Sequence, residues 1–263
     1  MKIGVYSNPN KDPDGRVRDK VFAAAGEVGI QAEPYGASKD YSFIVSVGGD
    51  GTILRIAKDC AMSQIPILGV NMGTVGFLTE VEPDELSAAF KKLSAREYSL
   101  ERRSMLASEV NGNTYHSLND IVVRSQNGRM MTLEVRVNDE LIDRFTCDGY
   151  IACTPTGSTA YSLSAGGSVI GPNTPVIALT PVNPHTLRTR PIVVGSFERI
   201  TLKNAGAASA AVFVDGELRE ELSCGGCAVV TGWDRSVQFV RLNKKSFYSR
   251  LLNKLNHWSA AED

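Results

Sequence analysis

The chain has 263 residues, which is long enough for one or two domains whose cores need no disulfide or metal for support. Hydrophobic residues make up 43% of it and charged residues 22%, the composition of an ordinary globular protein. Because 28 lysines and arginines face 29 acidic residues, the net charge is −1, which argues against a nucleic-acid partner. The lack of a long apolar run argues against a membrane partner.

The cysteines and the first residues bear on where the protein works. Five cysteines, an odd number, are spread unevenly along the chain. The first residues show no basic head followed by a long apolar stretch, so no signal peptide is indicated. We therefore expect free thiols in a cytoplasmic protein.

The first 98 residues alternate between strand and helix patterns. Residues 3–6, 43–47 and 66–70 are short apolar runs, typical of strands in a parallel sheet that is covered on both faces. In the segments that follow these runs, apolar side chains recur at helical spacing. Residues 1–98 are therefore predicted to form an α/β domain with a parallel sheet.

From about residue 99 the pattern changes. Asn111-Gly112 is a strong hairpin signal, and residues 132–137 alternate between polar and apolar side chains, as in a half-exposed strand. More apolar runs follow, mostly bounded by Gly, Pro or Asn. We therefore predict a second, mainly antiparallel β domain over residues 99–243. Apolar residues at helical spacing in the tail predict a C-terminal helix, within residues 244–263, that returns to the first domain.

The segment Gly48-Gly49-Asp50-Gly51-Thr52 follows a predicted buried strand and opens a predicted helix, which is where phosphates bind in α/β proteins. Its glycines let the backbone come close to a phosphate and expose N–H groups to it. A lone carboxylate would repel a phosphate. Asp50 is therefore better explained as a base, or as the holder of a metal ion that bridges the phosphates. The alternative is a tight glycine turn in which Asp50 caps the helix.

A second segment, residues 148–167, concentrates hydroxyl groups where a strand ends and a helix begins. Such hydroxyls, together with the N–H groups of a helix start, can hold ribose hydroxyls or an amide. Tyr161 offers a flat face for a heteroaromatic ring, and Gly166-Gly167 allows close approach of the backbone. The alternative is a capped helix that ends in a glycine turn.

The remaining segments are less specific. Asn119-Asp120 stands at a strand entrance and is by itself more typical of a turn. His185, in a proline-bounded loop, is more often structural than catalytic in such a setting. Asp215-Gly216 is chiefly a hairpin turn. No group of residues shows the spacing of zinc ligands, so no metal-ligating residue is assigned.

Taken together, these segments resemble the NAD kinase family. The resemblance rests on residues 48–52, Asn119-Asp120, residues 154–167, and residues 184–194, which come in the family's order. The first motif is shared with diacylglycerol kinases, other lipid kinases and phosphofructokinases, so it indicates only the superfamily. The run over residues 154–167 is far more specific.

The resemblance implies phosphorylation of the adenosine 2′-hydroxyl of NAD to give NADP, with ATP as the donor. A divalent cation, expected to be Mg²⁺, would assist. By carry-over from the family's motif, Asp50 would be the proton acceptor. Gly48, Gly49 and Thr52 would face the ATP phosphates, and Arg55 would reach a phosphate from one turn into the helix.

The resemblance also implies which residues hold NAD. Tyr161 would lie along the dinucleotide, and Phe77 would pack against its adenine side. The residues implied to line the NAD site are Gly51, Phe77, Asn119, Asp120, Asp148, Thr159, Ala160, Tyr161, Ser162, Leu163 and Ser164. Since the family tends to form homodimers and homotetramers, we expect a homodimer or homotetramer here.

The sequence departs from the family's pattern at three positions, and three other functions compete. Asp120 stands where Glu is common, Thr146 where a basic residue often stands, and Glu217 where Gln often stands.

A lipid kinase would need an apolar acceptor cleft, against which the polar run after residue 154 argues. A sensor that binds NAD without turnover would gain nothing from a carboxylate beside phosphates. A dehydrogenase would need the dinucleotide glycine fingerprint, which is missing.

Overall fold

The computed structural model describes residues 1–36, 40–73, 76–126, 128–243 and 247–259, without the side chains of residues 253 and 255–259. The chain divides into two compact units, Met1–Arg102 with Val237–Asp263 as unit 1, and Arg103–Ser236 as unit 2. Of the tail predicted to return to the first domain, residues 244–246 and 260–263 lie outside the described residues.

The elements follow one another along the whole chain. In order they are β1 (Lys2–Ser7), α1 (Arg16–Glu27), β2 (Gln31–Pro34), β3 (Phe43–Gly48), α2 (Asp50–Ser63), β4 (Ile67–Asn71), α3 (Leu86–Ser94), β5 (Ser99–Val110), β6 (Asn113–Ser117), β7 (Asp120–Ser125), β8 (Met131–Val137), β9 (Glu140–Cys147), β10 (Gly149–Cys153), α4 (Tyr161–Ser164), β11 (Val176–Val182), β12 (Ile192–Gly195), β13 (Ile200–Asn204), β14 (Ala210–Val214), β15 (Glu217–Leu222), β16 (Cys227–Arg241) and α5 (Phe247–Ser259). Short 3-10 turns occupy Pro83–Glu85 and Gly157–Thr159.

Unit 1 is a parallel α/β layer. Its strands run in the order β2-β1-β3-β4, and each of these pairs is parallel. All six residues of β3 are buried, which explains why this strand is a nearly continuous apolar run. The core joins the sheet to the apolar faces of α1 and α3, for example through Val21 and Phe90. The predicted α/β domain with a parallel sheet is confirmed.

Unit 2 is mainly antiparallel, as predicted. One sheet has the order β12-β11-β10-β7-β14-β15, and every neighbouring pair in it is antiparallel. Strands β9, β8 and β13 and the first part of β16 form another antiparallel set. Alternate apolar side chains of both sets meet in one core, for example Ile121 and Leu179 from the first and Leu133 and Leu202 from the second.

Helix α5 packs against other residues of unit 1. The Phe247 ring lies 6.1 Å from the Phe77 ring, and Arg250 donates a hydrogen bond to Oε2 of Glu80 at 3.0 Å. The Glu80 carboxylate is buried and also pairs with Arg241. In the described part of the chain, no helix is long and apolar enough to cross a membrane. All five cysteines are free thiols.

Candidate functional site

The glycine-rich segment joins β3 to α2 in unit 1 and depends on the absence of side chains. Gly48 has φ of +154°, and a Cβ at this position would lie 2.2 Å from Oγ1 of Thr52. The helix begins at Asp50 after the extended Gly49, so the N–H groups of Asp50 and Gly51 have no acceptor one turn earlier in the helix, whereas the Thr52 N–H donates to the Gly49 carbonyl at 2.9 Å. This end of the 14-residue helix carries partial positive charge, which favours an anion.

The Asp50 carboxylate is held by backbone N–H groups of a distant segment of unit 1. Phe77 donates its N–H to Oδ2 at 2.8 Å, and Leu78 donates its N–H to Oδ1 at 3.0 Å. Gly76 makes this approach possible, because a Cβ there would lie 2.2 Å from Oδ1 of Asp50. The alternative in which Asp50 caps α2 is therefore wrong: Gly49 is the cap residue, and the carboxylate bonds elsewhere.

The other predicted phosphate-facing side chains take different positions. Thr52 is buried, and its hydroxyl oxygen accepts a hydrogen bond from Nδ2 of Asn8 at 3.1 Å. Arg55 is exposed on α2. Phe77 is only 6% exposed; its ring neighbours are Phe247 and Nζ of Lys254, which lies 4.4 Å from the ring centroid. The ring predicted to pack against adenine is thus covered by α5 in this structure.

In unit 2 the fold brings Asn119-Asp120 and the hydroxyl-rich segment together. Asp120 on β7 pairs with Cys153 on β10, so the residues just before β7 lie beside those just after β10. The Thr154 N–H donates to the Asn119 carbonyl at 2.9 Å. At Gly157 a Cβ would lie 2.1 Å from the same carbonyl oxygen, which explains the glycine.

Many hydroxyls of this segment are used to build it. Ser158 donates to the Pro155 carbonyl at 2.6 Å, and Thr159 donates to the Thr156 carbonyl at 3.1 Å. The hydroxyls of Ser162 and Thr180 share a hydrogen bond of 2.8 Å.

Side chains from the same segment differ in how far they reach solvent. Tyr161 and Ser164 are exposed, while Thr159, Ala160 and Leu163 are half-buried. Tyr161 and Ser164 are therefore the residues among these that a ligand reaches most easily.

Asp120 lies in a strongly shifted electrostatic environment. It is buried, and burial together with the nearby carboxylate of Asp215 raises its pKa to about 7. Burial also raises the pKa of Asp215, although three backbone N–H bonds oppose that shift. One member of this carboxylate pair therefore gains or loses its proton near neutral pH.

Asp148 stands apart from the other residues predicted to bind NAD. It precedes β10, whereas Thr154 follows that strand, and the strand rise separates the two by roughly 20 Å. Its Oδ2 accepts a hydrogen bond from Nδ2 of Asn183 at 3.0 Å. Within one chain, Asp148 does not join Asn119 and Tyr161.

Family models decide what these segments belong to. The ATP-NAD kinase N-terminal domain matches residues 34–98, and the ATP-NAD kinase C-terminal domain matches residues 118–242. The two matches span most of the chain and include both glycine-rich segments. The chain belongs to the NAD kinase family.

Individual relatives agree with this membership. The NAD kinase of Caldanaerobacter subterraneus subsp. tengcongensis is 36% identical over 97% of this chain and 98% of its own length. The NAD kinase of Moorella thermoacetica is 42% identical over 84% of this chain and 73% of its own length. The predicted resemblance is thereby confirmed.

Solved NAD kinase structures share the fold. An NAD kinase from Archaeoglobus fulgidus in complex with ATP is 28% identical, with a TM-score of 0.79 over 97% of this chain and 99% of that chain. A yeast NADH kinase complexed with NADH superposes with a TM-score of 0.81 at 24% identity, over 97% of this chain and 86% of that chain. The second likeness concerns the fold alone.

Two of the departures from the NAD kinase pattern have a visible setting. Asp120 is buried, and its carboxylate lies near that of Asp215. Thr146 uses its carbonyl to accept the N–H of His185 at 2.8 Å. Glu217 is exposed and pairs with Arg219, and nothing in the structure explains its identity.

Three residues that hold the predicted site segments in place were not identified from the sequence. Gly76 makes room for the Asp50 carboxylate, Asp215 accepts N–H groups around Asn119, and Arg103 donates to Oγ1 of Thr156 at 3.2 Å. Arg103 is only 1% exposed, an unusual burial for a guanidinium. The sequence around Arg103 has an ordinary strand pattern, so nothing in it indicated that this arginine is buried.

Proposed function

We propose that this chain phosphorylates the adenosine 2′-hydroxyl of NAD with ATP, and that Asp50 accepts the hydroxyl proton. NAD kinase activity follows from membership of the family. The observation that supports Asp50 as the base is its carboxylate, which two N–H groups fix at the start of α2. Each carboxylate oxygen keeps a lone pair beyond the one used for its N–H bond, so the group can still take a proton.

The reaction then consists of one proton transfer to Asp50 and one transfer of the γ-phosphoryl group from ATP to the 2′-oxygen. The 2′-oxygen bonds to the γ-phosphorus of ATP while its proton passes to Asp50. The bond from that phosphorus to the bridging oxygen breaks, and its electron pair leaves with ADP. Positioning and charge neutralisation dominate such transfers, so a rigidly held carboxylate suits the role.

The phosphates and NAD are assigned to different residues. Gly48, Gly49 and Thr52, at the start of α2, would face the ATP phosphates, with the exposed Arg55 as a further cation, and Gly51 of the same segment would face NAD. In unit 2, the residues proposed to contact NAD are Asn119, Asp120, Thr159, Ala160, Tyr161, Ser162, Leu163 and Ser164. This proposal is supported by the pairing of β7 with β10, which brings the start of β7 beside the end of β10, and by the exposure of Tyr161 and Ser164.

A divalent cation is proposed to enter with ATP. Among the described residues, no three His, Cys, Asp or Glu side chains come together. Mg²⁺ is commonly held by substrate phosphates with one or two carboxylates, and Asp50 is the carboxylate of the glycine-rich segment. When bound, the cation would neutralise phosphate charge.

The Asp50→Asn variant tests the base. We expect NADP formation from NAD, ATP and Mg²⁺ to fall by about 10²–10⁴-fold, the usual contribution of a positioned base. The affinity for NAD should stay within about tenfold, because the amide keeps the shape of the carboxylate. The measurement is a coupled assay with an NADP-specific dehydrogenase, alongside calorimetry of NAD binding.

A matched control separates the base from a general charge effect. Asp59→Asn removes an exposed carboxylate from the same helix and should leave turnover unchanged. Near-wild-type turnover in Asp50→Asn would contradict the proposed base. A different result would be a wild type that binds NAD tightly but forms no NADP from NAD and no NADPH from NADH, with either ATP or polyphosphate as the donor. That result would favour a sensor.

The remaining proposals concern assembly and location. We propose a homodimer or homotetramer in the cytoplasm. Asp148 is proposed to contact NAD from a second copy of the chain, because within one chain it lies at the far end of β10 from the other residues proposed to contact NAD. Light scattering after size exclusion measures the copy number, and a monomer at assay concentration would contradict this.

A further inference from the structure

We propose that Asp215 is a positioning residue that fixes the Asn119-Asp120 turn for NAD. The proposal rests on the assignment of that turn to the NAD site, which it deepens. From the sequence, Asp215 is only a residue of a hairpin turn between β14 and β15. In the structure its carboxylate instead serves the backbone of a segment 95–97 residues earlier.

Three consecutive N–H groups converge on this carboxylate. Oδ2 accepts from Leu118 at 2.9 Å, and Oδ1 accepts from Asn119 at 2.7 Å and from Asp120 at 3.2 Å. The return bond runs from the Asp215 N–H to the Asp120 carbonyl at 3.0 Å. Charge-assisted bonds of this kind are roughly twice as strong as neutral ones, so the turn has little freedom.

The hairpin geometry aims the carboxylate. Asp215 has φ of +48° and Gly216 has φ of +82°, the left-handed pair of a tight hairpin. Few residues take this conformation easily, and of those only Asp carries a carboxylate on so short a side chain. The turn therefore needs a residue that satisfies both the backbone and the three N–H groups.

The same carboxylate also acts on the charge of Asp120: burial raises the pKa of Asp120 most, and the nearby Asp215 carboxylate raises it further. The titratable groups that face Asp120 are Asp215 and Cys153, and Glu217 acts in turn on Asp215. The pKa of Asp120 is about 7, so its ionised form, the better acceptor for a ribose hydroxyl, forms as the pH rises through neutrality. Removal of the Asp215 charge stabilises ionised Asp120 and lowers that pKa.

The experiment compares two substitutions that tolerate the left-handed conformation. Asp215→Gly removes the carboxylate and should raise KM for NAD about tenfold or more, with KM for ATP changed less than about threefold. Asp215→Asn keeps one acceptor oxygen and should raise KM for NAD less. KM for NAD should fall as the pH rises and Asp120 loses its proton. In both variants this fall should occur at a lower pH than in the wild type. A purely structural role would move neither this pH nor KM for one substrate alone.

Amide hydrogen exchange reports on the turn without NAD. In Asp215→Gly the amides of Leu118, Asn119 and Asp120 should exchange faster than in the wild type, because they lose their acceptor. The matched control is Asp139→Gly. Asp139 also has a left-handed φ, +68°, in a hairpin turn, but its side chain is 85% exposed and lies on the surface. This control should keep wild-type kinetics and wild-type exchange at the turn.

A variant of the turn itself separates the role of Asp215 from the assignment of NAD to the turn. Asn119→Ala tests the assignment of NAD to the turn, and an unchanged KM for NAD would overturn both that assignment and the role of Asp215. A raised KM in Asn119→Ala with an unchanged KM and unchanged exchange in Asp215→Gly would overturn the role of Asp215 alone. Unfolding of the Gly variant would leave Asp215→Asn and its pH profile as the deciding test.

Discussion

At the scale of single residues, the position of the Asp50 carboxylate depends on a neighbour without a side chain. A Cβ at Gly76 would lie 2.2 Å from Oδ1 of Asp50 and 2.9 Å from Oγ1 of Thr79. Gly76→Ala should therefore displace the carboxylate and lower kcat about 100-fold, since a misplacement of about 1 Å costs that much. Steady-state kinetics should show KM for both substrates nearly unchanged.

The control for this prediction is another glycine of unit 1. Gly26 lies in α1, with nothing within 4 Å of an added Cβ. Gly26→Ala should keep the wild-type kcat and raise stability slightly, because alanine favours helix. A wild-type kcat in Gly76→Ala would show that the Asp50 geometry does not limit turnover.

At the scale of elements, a buried carboxylate links α5 to the rest of unit 1. The Glu80 side chain is 2% exposed and forms ion pairs with Arg241 and Arg250. Arg250→Met should lower the free energy of unfolding by about 1–3 kcal/mol, because it removes charged hydrogen bonds from a buried acceptor. Thermal denaturation should show a Tm lower by several degrees. Arg16→Met removes an exposed pair with Asp14 and should change little.

At the scale of the whole molecule, the position of Asp148 predicts complementation between copies. The Asp50→Asn chain lacks the base but keeps Asp148, and the Asp148→Ala chain keeps the base. Each variant alone should form little NADP at an NAD concentration below the wild-type KM. Mixed oligomers, purified with two different affinity tags, should regain activity because one of their sites has both groups. Activity no higher than the sum of the separate variants would contradict this arrangement.

Local patterns account for what the sequence predicted correctly. The apolar run of β3 and the glycines after it follow from burial and from the start of α2, which are properties of adjacent residues. Asn111 and Gly112 have φ of +50° and +80°, as their hairpin signal predicts. The class of fold and the family were therefore accessible from neighbouring residues alone.

Contacts between distant residues account for what was missed. Asp50 depends on N–H groups 27 and 28 residues later, and Asn119 depends on a carboxylate 96 residues later. No periodicity links such partners, since the link exists only after the strands pair. The alternative in which Asp50 caps the helix was wrong for the same reason, because its carboxylate accepts N–H groups from another segment.

The hairpin that carries Asp215 also sets the order in which the chain becomes able to bind. During synthesis the Asn119-Asp120 turn leaves the ribosome 95 to 97 residues before its carboxylate acceptor. At about 5–20 residues per second, that interval is roughly 5–20 s. Until the hairpin of β14 and β15 forms, the three N–H groups lack the carboxylate that accepts them in the folded chain. A nascent chain therefore completes this turn late, after most of unit 2 has been translated.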